Sequence, residues 1–215
     1  MGKNTQQLVA KEAETKVVRD VPGKKFRVGF IPATLELYYE IVPEFGTLLA
    51  GFAAQIRDSI KGDNRLDVEF APVCANFREF QENCNFFESR NFDLLVLCHF
   101  SYSPSGEIVE SLINTRLPVL LWPAQGIDKI DTKSLDDDIL LLNHAVHGTQ
   151  DLANILRRRS KPFGVFHGHI KQTDFIPQIT EWAAAGKAIV AMKGSNPVNL
   201  GGYFDNMLDA IFSYR

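Results

Sequence analysis

A doubly wound, parallel α/β sheet of flavodoxin-like or Rossmann-like three-layer type, followed by the start of a second α/β domain, is the architecture this sequence predicts. Three observations carry that expectation. Short apolar or β-branched runs alternate five times with segments of helical period, and continuous runs of that kind suit strands buried on both faces of a parallel sheet. Right-handed crossovers then place helices on both faces. Finally, 215 residues is long for one ordinary domain and short for two, which matches one complete domain plus part of another.

In chain order, residues 1–24 are polar and read as an arm. The domain proper spans 25–187, and 188–215 reads as the incomplete start of a second one. The strand runs are KFRVGFI (25–31), LDVEFA (66–71), LLVLC (94–98), PVLLW (118–122), FGVFH (163–167) and AIVAM (188–192). Between them, Phe45, Leu49, Phe52, Ile56 and Ile60 form an apolar helical stripe, with Pro43 tolerated in its opening turn. Phe77, Phe80, Cys84 and Phe87 form the next, and Asn76 followed by Glu79 predicts a capping box. Ser103-Pro104 opens a third helix around Ile108 and Leu112, with Ser103 as its N-cap. NHAVHGTQDLANILRRR (143–159) supplies a fourth through Leu152, Ile155 and Leu156, and Phe175, Ile179 and Trp182 mark a fifth.

Composition narrows the function. A hydrophobic content of 45% with 16 Phe is enough for a sizeable core. The net charge of -3 removes the pull towards nucleic acid that a basic domain has, and Arg157, Arg158 and Arg159 are too short a run to restore it. The arginines suit a helix C-terminus, where cations complement the dipole. Cys74, Cys84 and Cys98 are odd in number, lie in apolar surroundings and include no CxxC, which fits buried thiols in a reducing compartment. No signal-peptide core and no membrane-length apolar run occurs, so the expected setting is the cytoplasm, with no membrane partner.

In an open parallel sheet, ligands bind beyond the carboxyl ends of the strands. The loops there hold Glu36, Tyr38, Tyr39, Asn76, His99, Tyr102, Gln125, His167 and His169. No GxGxxG follows the first strand, no GxxxxGK[ST] occurs and no GxSxG elbow occurs, which disfavours a dinucleotide, a P-loop and a serine hydrolase. His144 and His147 share a helical face at i, i+3, and His167 and His169 share one on an extended segment. Such pairs read first as hydrogen-bonded histidines and second as metal ligands. A general acid, or a donor to a sugar hydroxyl, remains open. Asp136, Asp137 and Asp138 read as a solvated loop, since like charges so close repel.

VGFIPATLELYYE, the YSP of HFSYSP, NHAVHGTQDLANILRRRSKPF, the GH of HGHIK and GGYFDNM, in that order and spacing, resemble the amino-terminal region of the L-arabinose/L-fucose isomerase family. The likeness covers nearly all of 25–207 and is greatest to its arabinose isomerase-like branch. What the resemblance implies is an aldose-ketose isomerase of carbohydrate metabolism that uses a divalent metal, usually manganese, and works as a homo-oligomer. By the match, Glu36, Leu37, Tyr102, His144, His147 and Met207 would line or cap the sugar pocket. The metal ligands of the family lie in a carboxyl-terminal half that this sequence does not match, so no catalytic or metal-binding residue is assigned here, and this chain alone is expected to be inactive. An aldose or ketose, and either further copies or a chain carrying that other half, are the implied partners. Leu35 stands where better-known arabinose isomerases carry glutamine, which leaves the sugar open. The alternative is a free-standing sugar-binding or oligomer-forming α/β domain without catalysis. Apolar Phe204, Met207, Leu208, Ile211 and Phe212 would favour self-association.

Overall fold

The computed structural model describes residues 25–196 apart from 43, 130, 132, 134–136 and 173. Five strands, β1 (Phe26–Ala33), β2 (Leu66–Phe70), β3 (Leu94–His99), β4 (Val119–Pro123) and β5 (Gly164–Val165), form one sheet in the order β2-β1-β3-β4-β5. All neighbouring pairs are parallel. Every residue of β3 and β4 is buried, which is why those segments read as unbroken apolar runs rather than alternating ones.

The helices are α1 (Leu37–Ile41), α2 (Phe45–Ile60), α3 (Phe77–Ser89), α4 (Ser105–Asn114), α5 (Asp137–Leu142), α6 (Ala145–Arg158) and α7 (Phe175–Lys193). They cover the sheet on both sides. On one face Val28, Phe30, Val96, Leu120 and Trp122 meet Leu49 and Ile56 of α2 and Phe175 and Ile179 of α7. On the other, Ile31, Leu95, Leu97 and Leu121 meet Phe80 and Phe87 of α3, Ile108 of α4 and Leu152 of α6. The period of two along each strand thus divides one apolar run between two cores.

The capping box is present. Asn76 Oδ1 accepts from the Glu79 N–H at 3.2 Å, and the Glu79 carboxylate accepts from the Ala75 N–H at 2.7 Å. Other expectations are corrected. AIVAM (188–192) is helical, the last turns of α7, because Gly186, the one turn-type residue between it and Ala183–Ala185, is held within the helix against the Asp93 carbonyl. FGVFH contributes only two residues to the ladder at its edge. Asp137 and Asp138 open α5 rather than lie in a loop, and the short α1 follows β1 where a loop was expected. Ser103 is not a cap: Pro104 occupies that position, and the Asp151 carboxylate of α6 accepts from the Ser105 N–H at 2.9 Å. The arm 1–24, Pro43, Asp136, and the tail with Phe204, Met207, Leu208, Ile211 and Phe212 lie outside the described residues.

Candidate functional site

The chain runs outward from β1 to β2 and then returns to β3 on the other side of β1. A crevice forms at such a reversal, beyond the carboxyl ends of the two central strands. Ala33 and His99 are register partners at those ends. The segments leaving them are tied together by the Thr34–Ser101 hydroxyl pair at 2.7 Å, fully buried, and by the Phe100 N–H donating to Ala33 O at 3.0 Å.

Tyr102 leaves β3 and meets the head of α6. Its ring centroid lies 5.9 Å from that of His144, and His144 lies 4.4 Å from His147 in an edge-to-face arrangement. These three expected residues therefore form one cluster. Asn143 beside them donates from Nδ2 to Ile139 O at 2.7 Å. Two buried atoms here, Asn143 Oδ1 and His144 Nδ1, have no hydrogen-bond partner among the described residues. Glu36 and Leu37 stand at the opening of α1, both exposed. Tyr38 behind them is buried, and burial first, then Tyr102, raises its phenol above the ordinary value.

Beneath the cluster lies His99, which is fully buried. Thr149 Oγ1 donates to Ala145 O at 3.1 Å and stands 3.0 Å from His99 Nδ1. With the threonine proton committed to the helix carbonyl, its oxygen accepts from Nδ1–H, which assigns the neutral tautomer with the lone pair on Nε2. Burial, only partly offset by Asp151, depresses the ring to about 3. It is a neutral strut and not an acid. Gly148 is required against it, because a Cβ there would fall 2.6 Å from His99 Cδ2 and 3.0 Å from the Ser103 nitrogen. Thr149, Gly148 and Asp151 are the residues that sequence reasoning missed, although a glycine inside a helical stripe is a signal of close approach.

The other loop residues do not enter the cluster. His167 is exposed beyond β5, and His169 faces Asp128 at 3.8 Å while its Nδ1 accepts from the Lys171 N–H. Gln125 Nε2 reaches Asn143 O only at 3.5 Å, Asn76 is a cap, and Tyr39 packs on Phe45. All three cysteines are free thiols, buried; burial pushes Cys74 and Cys84 up to about 12 and raises Cys98 as well, so none is poised as a nucleophile. Among the described residues no three His, Cys, Asp or Glu side chains converge as a metal would need, and no helix is long and apolar enough to cross a membrane.

Comparison with known proteins supplies the deciding observation. The family model for the L-arabinose isomerase N-terminal domain matches residues 24–194. The chain belongs to that family. L-arabinose isomerases of Acidothermus cellulolyticus and Bifidobacterium animalis subsp. lactis are similar to it. The first is 21% identical over 193 residues, covering 87% of this chain and 37% of the relative, and the second is 26% identical over 160 residues, covering 72% and 31%. That of Arthrobacter sp. is 22% identical over 188 residues, covering 85% of this chain and 35% of the relative. The chain thus spans about a third of the length of the curated L-arabinose isomerases it matches. The matched region takes in the whole crevice of this family member, from β1 to the end of α7.

Proposed function

We propose that this chain is the substrate-capping, amino-terminal part of an aldose-ketose isomerase and does not turn over sugar by itself. The observation that carries the reading is the pair of orphaned polar atoms, Asn143 Oδ1 and His144 Nδ1, at the head of α6. Buried polar atoms need partners, and a molecule dense in hydroxyls supplies both donors and acceptors to such a site. His147 then presents an exposed imidazole to substrate hydroxyls, the Tyr102 ring forms a wall and Glu36 and Leu37 close the pocket; Met207, outside the described residues, is a further contact that the family resemblance implies. L-arabinose is the first sugar to test, on the strength of the relatives' names.

The divalent metal implied by the resemblance, manganese, does not fit the described residues, since no three potential ligands converge. In this reading the metal and the proton-shuttling carboxylates belong to the carboxyl-terminal half of the enzyme, and the setting is the cytoplasm.

The test is a paired one on the purified 215-residue chain. With manganese and a panel of aldoses no ketose forms, while saturation-transfer NMR detects contact with L-arabinose that weakens by roughly threefold or more in His147→Ala, the loss expected for one hydrogen bond. Manganese-dependent ketose formation by the chain alone would overturn the capping role. Sugar contact indifferent to His147→Ala, or no contact at all, would overturn the site.

A further inference from the structure

We propose that the cavity at the opposite, amino-terminal edge of the sheet binds a small amphiphilic carboxylate, an aromatic ring on a short acid arm. The cavity has a volume of about 220 Å³ and lies between the starts of β3, β4 and β5 and the second half of α7. A dry cavity of roughly 150 Å³ accommodates benzene, so this one has room for a ring and a few further atoms. Its walls are Leu94, Val119, Phe163, Trp182 and Ile189.

The shape has a local cause. Trp182 lies across Gly164, where a Cβ would fall 2.4 Å from the indole, and Gly186 presses on the Asp93 carbonyl, where one would fall 2.5 Å away. The helix is therefore held close at both contacts, while Ala185 between them leaves a gap. Trp182 and Ile189 remain 37% and 42% exposed at the mouth. A large aromatic and a β-branched side chain both open to solvent beside an apolar slot need an explanation that single exposed residues do not.

Charge selects the occupant. The lining holds two lysines, Lys161 and Lys193, and no acidic residue. Lys161 Nζ donates to Thr115 O at 2.5 Å and Ile113 O at 3.5 Å, at the carbonyl end of α4, and Lys193 Nζ reaches Arg116 O at 3.5 Å. Each ammonium carries three donors, so both retain N–H groups for a ligand. Burial first, and then the charge of Lys193, lowers the Lys161 pKa, with Glu88 opposing. Glu88 itself is engaged by Thr115 and Arg116. Two cations that repel across an apolar slot are relieved by one carboxylate between them. A neutral hydrocarbon would leave that repulsion in place, and an organic cation would add to it.

This site is separate from the sugar crevice and does not depend on it. Leu94 lines the cavity and His99 ends the same strand at the other edge, five residue steps or roughly 17 Å away. Sugar and carboxylate therefore bind without competing.

The experiment titrates the full chain with 3-phenylpropionate, 3-phenylpropan-1-ol and 3-phenylpropylammonium, followed by calorimetry and by tryptophan fluorescence. Trp182 reports, because it lines the cavity and Trp122, the other tryptophan, does not. The acid binds saturably, and the alcohol and amine bind about tenfold more weakly or worse, the equivalent of one lost charged contact. Lys193→Gln lowers affinity for the acid several-fold, and Ala185→Phe, at an exposed helix position, abolishes it while the urea midpoint is kept. A flat titration with the acid overturns the proposal. Equal affinity for acid and alcohol, or binding that survives Ala185→Phe, does so too.

Discussion

His99 is the residue whose environment most constrains the behaviour of the site. Enclosed completely and depressed to about 3, it stays neutral in the native state where the unfolded chain takes up a proton below an ordinary value of about 6.5. The unfolded state then binds more protons, so stability rises with pH through this window and is lost as pH falls from about 6.5 towards 3. Between about pH 7 and about pH 5 the loss from this residue is roughly 2 kcal/mol. Urea unfolding at the two values measures it, and in His99→Gln that share of the pH dependence disappears; an unchanged slope would contradict the buried neutral imidazole. Its neighbour supplies a steric counterpart. Gly148→Ala puts a Cβ 2.6 Å from the same ring, and overpacking of this kind destabilises by about 1–3 kcal/mol, readable as a lower urea midpoint. His99 was legible in the sequence as a residue at a strand's carboxyl end. Its strut role was not, because Thr149 lies fifty positions away and no local pattern announces the pairing.

At the scale of elements, the helix starts show which signals are local and which are not. Asn76 and Glu79 lie three positions apart and cap the same turn, so the motif could be read directly; Asn76→Ala should lower stability by about 1 kcal/mol in urea melts. The start of α4 is capped from afar. Asp151 of α6 accepts from the Ser105 N–H, and Ser103, the expected cap, is buried with its hydroxyl unpartnered among the described residues. That bond joins the first turn of α4 to α6 and so fixes the segment carrying Tyr102 against the helix carrying His147. Asp151→Asn keeps the shape and removes the charge, and should lower the urea midpoint by the equivalent of about 1 kcal/mol. AIVAM was misread for the complementary reason. Its β-branched content suggested a strand, but strand identity is set by what a segment packs against, and these residues continue a helix already formed over Ala183–Ala185.

For the whole molecule, the strand order was accessible in class but not in detail: alternation of runs implied a parallel sheet, while the reversal between β1 and β3 that locates the crevice needed coordinates. The parallel sheet brings the loops that follow the strands to its carboxyl edge, and apolar surface is exposed there too. Ile41 is 56% exposed, Leu48 45% and Leu140 57%, all on segments that follow strand exits. Apolar groups exposed beside the crevice favour association, as do Trp182 and Ile189 at the other edge, whereas Arg159 and Glu110 pair across α6 and α4. We therefore expect the 215-residue chain to self-associate through the edge that carries the crevice. Sedimentation equilibrium should show a mass that rises with concentration, and Ile41→Lys combined with Leu48→Lys should weaken association about tenfold or more. Because both side chains are already half in water, the urea midpoint should shift by no more than about 0.5 kcal/mol. A mass equal to one chain at every concentration would mean that this apolar edge is tolerated in solution, and the case for the proposed occupant of the crevice would rest on the orphaned atoms of Asn143 and His144 alone.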